Sequence, residues 1–180
     1  MKLLLPNPNI MALWRGIIHE AESICAISLK EELESYLVFL LTRFTNKPEL
    51  VKQIMASEFL HSMSLGPHQR AFALQEIGDK CLIFSGLFPK IAEKRHVKIG
   101  YFVQMGSSAY SVISKTGNDV YDLLAHQFIP MMDVLQSIRC YSNEFPDLMP
   151  LEAYELWNQT GSHRALKILR TYTQATPVRF

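Results

Sequence analysis

Glu58 and His61 stand three residues apart in Glu58-Phe59-Leu60-His61, and Asp122 and His126 stand four apart. On a helix either spacing puts both side chains on one face. Carboxylate and imidazole on one helix face are the donors of carboxylate-bridged di-iron bundles, which combine several such helices. Glu58, His61, Asp122 and His126 are therefore the candidate metal ligands, in a mixed site that requires the two segments to converge. The ordinary alternative is two exposed polar pairs on amphipathic helices. It is the preferred one, so no metal or other cofactor is expected. His19-Glu20 begins like a zinc-protease motif, but position 23 is Ser23. That motif needs two histidines four residues apart, so His19 and Glu20 are expected to face solvent.

Nucleophile and phosphate motifs are missing from the sequence. Gly-x-Ser-x-Gly, the Walker A loop and Gly-x-Gly-x-x-Gly do not occur. Gly106-Ser107-Ser108-Ala109 has neither the second glycine nor the strand-turn-helix setting of a nucleophile elbow. Its small residues suit a close approach of two helices. A ligand touching that backbone is the alternative, and Gly86, Tyr101, Gly106 and Tyr110 would then line a pocket between helices. No catalytic residue is expected.

Net charge is +1, but the charges are segregated. Lys80 to Lys98 carries Lys80, Lys90, Lys94, Arg95 and Lys98 against Glu93 alone. Arg164 to Phe180 carries Arg164, Lys167, Arg170 and Arg179 and no acid. Asp119 to Glu155 holds seven acids and only Arg139. Lys90, Lys94, Arg95 and Lys98, beside Tyr101 and Phe102, form a candidate basic patch for a phosphate or a nucleic-acid backbone. The simpler reading is a solvated connector whose charges pair with the acidic segment, and nucleic acid is the lesser expectation.

The elements that must hold these groups are helical. Asn9 can cap a stripe of Ile10, Leu13, Trp14, Ile17, Ile18 and Ala21. Ser28-Leu29-Lys30-Glu31 reads as a capping box. The helix it opens runs to about Phe44 and is apolar on all sides from Tyr36 to Leu41, as a central helix would be. Further helices are expected over 49–63, 68–88, 99–114, 119–141, 150–157 and 164–171. Pro67 suits a first helical position, Pro89 a stop, and Pro130 a bend in the long 119–141 segment. No alternating run bounded by hairpin dipeptides marks a strand. The expected fold is all-α: a single bundle-like domain over 1–180 with seven to nine helices, 1–8 and 173–180 being extended tails.

Two segments stand out within this pattern. One is Ile77-Gly78-Asp79-Lys80-Cys81-Leu82-Ile83-Phe84-Ser85-Gly86-Leu87-Phe88-Pro89, the other Tyr101-Phe102-Val103-Gln104-Met105-Gly106-Ser107-Ser108-Ala109-Tyr110. Together they resemble an uncharacterised group of small bacterial proteins with the pattern G-D-x-x-L-F-x-x-G-x-F-P … Y-F-x-x-M-G-x-x-A-Y. The resemblance covers about a third of the chain. It implies a bacterial, cytosolic protein and brings no activity and no site residue with it.

Composition bounds the function classes. Hydrophobic residues make up 48% and charged residues 19% of 180, which a disordered chain would not show. Cys25, Cys81 and Cys140 are odd in number and widely spaced, so reduced core thiols are expected rather than disulfides. Leu3-Leu4-Leu5 followed by Pro6 and Pro8 is too short for a signal peptide, and no stretch approaches a membrane span. A cytoplasmic location and no membrane partner are expected. The expected function is that of a non-catalytic helical protein binding a macromolecular partner or itself. Trp14 and Phe180 are its candidate interface residues, and a homodimer its simplest form.

Overall fold

In the computed structural model, residues 8–46, 56–89, 98–141, 148–174 and 177–178 are described. They form nine α-helices and no strand: α1 Pro8–Cys25, α2 Glu31–Asn46, α3 Ala56–Ser62, α4 Pro67–Leu87, α5 Ile99–Ser114, α6 Asp119–His126, α7 Phe128–Tyr141, α8 Pro150–Thr160 and α9 His163–Tyr172. No described helix is long and apolar enough to cross a membrane.

Local chemistry sets most of the boundaries. Pro67 opens α4 at a position whose N–H would have no helical partner. Asn118 caps α6 by accepting from the Val120 N–H, and Ser162 caps α9 by accepting from the Ala165 N–H. Gly161, at φ 77°, closes α8 in the left-handed conformation that glycine takes without strain. The capping box at Ser28 does not form. The first amides of α2, Leu33 and Glu34, return to the Lys30 carbonyl, so Lys30 is the N-cap and Ser28 lies outside the helix. The helix expected over 119–141 is two helices. Pro130 has no N–H to give His126 and its ring would strike that carbonyl, so the chain breaks at Gln127 and restarts. Asn9 is already inside α1, and residue 8 belongs to that helix rather than to a tail.

The central helix is α4, not α2. From Cys81 to Gly86 every residue of α4 is buried, whereas Phe39 of α2 is 51% exposed. α4 lies against α5 and α7, with α3 beside it. Gly86 and Gly106 make this packing close. A Cβ on Gly86 would stand 2.5 Å from Leu135 Cβ, and one on Gly106 2.5 Å from Phe128 Cε2. Phe84 and Phe102 stack at 5.6 Å between centroids. The α8–α9 hairpin carries a smaller core of Ala153, Ile168 and Leu169. It is tied down by Asp133 of α7, which accepts from Ser162 Oγ at 2.6 Å and from the Arg164 N–H at 3.2 Å. Burial pushes the Asp133 carboxyl up from its ordinary value.

Candidate functional site

The Gly78-Asp79 pair sits at the centre of a buried polar network. α4 supplies Glu76 and Asp79, α2 supplies Tyr36 and Arg43 two turns apart, and α5 supplies Tyr110. Gly78 makes the arrangement fit: a Cβ there would lie 2.7 Å from Cζ of the Tyr110 ring, which passes over the glycine. Asp79 Oδ1 accepts from Tyr36 Oη at 2.5 Å and from Tyr110 Oη at 2.7 Å. Its Oδ2 accepts from Arg43 at 2.9 Å, and the other arm of that guanidinium donates to Glu76 at 2.7 Å. Arg43 Nε is buried with no hydrogen-bond partner among the described residues. The Tyr121 ring of α6 lies 6.0 Å from that of Tyr110.

Electrostatics follow from the burial. Asp79 is 2% exposed, and desolvation raises its carboxyl to about 6 against the pull of Arg43, Tyr36 and Tyr110. Desolvation, with the Asp79 charge added, pushes both tyrosine hydroxyls well above their ordinary value. Those hydroxyls stay protonated and act as donors. With both oxygens engaged, Asp79 joins α2, α4 and α5 and presents no free carboxylate oxygen of its own.

The residues singled out from sequence separate. Tyr110 is fully buried in this network and Tyr101 is 43% exposed, so the two tyrosines do not share a lining. The open sides of Gly86 and Gly106 are taken by Leu135 and Phe128. Glu58 pairs with Lys80 at 3.2 Å, and His126 pairs with Asp122 on its own helix at 3.4 Å. Glu58, His61, Asp122 and His126 do not converge: no three of them bring ligand atoms within 4.8 Å of one another. The Glu-x-x-His spacing recurs at Glu93 and His96, outside the described residues. Lys90, Lys94 and Arg95 of the basic patch also lie outside them, as does Phe180, while Lys98 is exposed at the start of α5. Trp14 is partly buried against the core. Arg164 is 7% exposed and donates to Gln136 and to Cys140 Sγ, so it is not a surface cation. The thiols carry no disulfide, and burial raises Cys81 to about 12, as for inert core residues.

One cluster escaped the sequence reading. His19 Nδ1 lies 3.3 Å from Glu22 Oε2, and His19 Nε2 lies 3.5 Å from Glu34 Oε2. The first two share a face of α1, and the α1–α2 turn brings in Glu34. His19 and Glu22 at i, i+3 were the available signal. The His-Glu-x-x-His template singles out Glu20 instead, which is exposed. Comparison with models of protein families, with curated proteins and with solved structures found no match.

Proposed function

We propose that this chain is a non-catalytic helical protein that acts through its surface, binding a second copy of itself or another protein. Two large apolar side chains exposed on α1 carry this reading. Leu13 is 61% and Ile24 49% exposed, and three turns of helix put them on one face. Ile24 also lines a small depression together with Ile17, Glu20, Ala21 and Ile138 of α7. Apolar groups turned outward on one face suit a contact surface. The candidate ligand-lining positions Gly86, Gly106 and Tyr110 are, by contrast, filled by the chain's own side chains.

Size exclusion with light scattering tests the reading, together with capture from a lysate. The expected result is a mass above the 20.6 kDa of one chain, or a specific captured protein. Ile24→Asp should abolish it. A strict monomer that retrieves nothing overturns the reading.

A further inference from the structure

We propose that His19, Glu22 and Glu34 form a binding site for one divalent transition-metal ion of the zinc class, bridging α1 and α2. One ring nitrogen of His19 and one carboxylate oxygen from each glutamate lie within 4.8 Å of one another. Two of the separations in the cluster are 3.3 and 3.5 Å. Both are long for a charge-assisted hydrogen bond, which runs at about 2.7–2.9 Å. They run from opposite nitrogens of the ring, and a metal takes one nitrogen, so one of the two separations is an edge of its shell; the edge of a tetrahedron with metal–ligand bonds near 2.05 Å is about 3.3 Å.

Charge points the same way. The side chains of Glu22 and Glu34 are only 9% and 17% exposed. Among the described residues, His19 is the one basic side chain within 4.0 Å of either. Two poorly hydrated carboxylates therefore share one imidazole. Glu20, Glu31 and Glu32, exposed in the same turns, add negative potential. A dication supplies the missing charge, and metal binding requires the neutral form of the imidazole.

The set also has an anchor. Glu22 Oε1 accepts the Leu29 N–H at 2.6 Å, which fixes this carboxylate while Oε2 faces His19. His19, with a side chain 57% exposed, and Glu34 are the ligands that adjust, and water completes the shell. An imidazole nitrogen with two carboxylates favours zinc and its neighbours over magnesium and calcium, which prefer all-oxygen shells.

Calorimetric titration of the full chain with zinc chloride is the test. One zinc per chain is expected, bound at least about 100-fold tighter than magnesium or calcium. His19→Ala and Glu34→Gln should each weaken zinc by at least about tenfold. Glu22 is left in place because α2 depends on its bond to Leu29. Should Glu34→Gln lose helical circular dichroism, His19→Ala alone decides, since its side chain is mostly in solvent. Cobalt in place of zinc should show no thiolate charge-transfer band. Absence of saturable zinc binding overturns the proposal. So does a His19→Ala/Glu34→Gln chain that binds zinc like the parent, or a thiolate band that puts the metal on a cysteine.

Discussion

Arg43 and His19 hold the same post in two regions: each is one basic side chain between two carboxylates. Arg43 serves Glu76 and Asp79 at 2.7 and 2.9 Å from separate arms of its fork. His19 stands between Glu22 and Glu34 at 3.3 and 3.5 Å. A guanidinium is charged at any working pH and its geometry fits two carboxylates at once. An imidazole is neutral over much of that range and offers one N–H at a time. The first cluster is therefore closed, its carboxylate further bound by Tyr36 and Tyr110, and it serves to lock three helices. The second is open, and its remaining need is a cation. Which basic residue stands between the acids decides whether the pair is scaffold or site.

Removing Asp79 is the strongest way to break the closed side. Asp79→Ala leaves the Tyr36 and Tyr110 hydroxyls and one arm of Arg43 without their acceptor. A loss of about 3–5 kcal/mol is expected in urea unfolding, as for other broken buried ion pairs. A loss below about 1 kcal/mol would show that the network holds nothing together.

Asp79→Asn sharpens the same point through pH. Asp79 titrates near 6 in the folded chain against a reference of 3.8. The folded state thus takes up this proton more readily than the unfolded one. That stabilisation is fully present below the unfolded value and is lost as pH rises from about 4 through 6. The stability of the parent relative to Asp79→Asn should fall by on the order of 3 kcal/mol between pH 4 and 7. An advantage that instead grows with pH would mean that Arg43 outweighs burial.

Two glycines make the contrast independently of charge. Gly78 lies under the Tyr110 ring, and a Cβ there would stand 2.7 Å from Cζ. Tyr110 is fully buried and cannot move aside. Gly78→Ala should cost about 1–3 kcal/mol, the usual cost of overfilling a core. Gly16, in the middle of α1, has nothing within 4 Å of its added Cβ. Gly16→Ala should stabilise by about 0.5–1 kcal/mol, from helix propensity alone. Thermal melts of the two variants should therefore move in opposite directions.

The fold was largely legible because it rests on local rules. Ile99 to Ser114 reads directly as a helix, and Pro67 and Ser162 mark starts that a sequence shows. Ser28 failed as a cap because helix starts compete: the Leu29 N–H found Glu22, seven residues back, and the helix began two residues later. Burial of α4 over α2 depends on which helices flank which, and periodicity carries no such information. The sites were less legible for the same reason. Asp79 gains its partners from α2 and α5, 43 and 31 residues away. Glu34 reaches His19 only through a turn. The pairs that spacing did expose, Glu58–His61 and Asp122–His126, do not meet one another.

The smallest effect is the one that tells most about the open cluster. Glu34→Gln in metal-free buffer removes one half-satisfied carboxylate and its contact to His19 at 3.5 Å. The change in stability should be under about 1 kcal/mol, because an ion pair near the surface and at this distance contributes little. Its sign is informative. If Glu22 and Glu34 repel across His19, the variant is slightly more stable than the parent at low salt, and added sodium chloride shrinks that gain by screening. The same measurement with excess zinc should favour the parent, since only the parent keeps all three ligands and binding to the folded state adds to stability. An identical small difference with and without zinc would make the His19 cluster of α1 and α2 a second closed network, and the contrast with Arg43 would disappear.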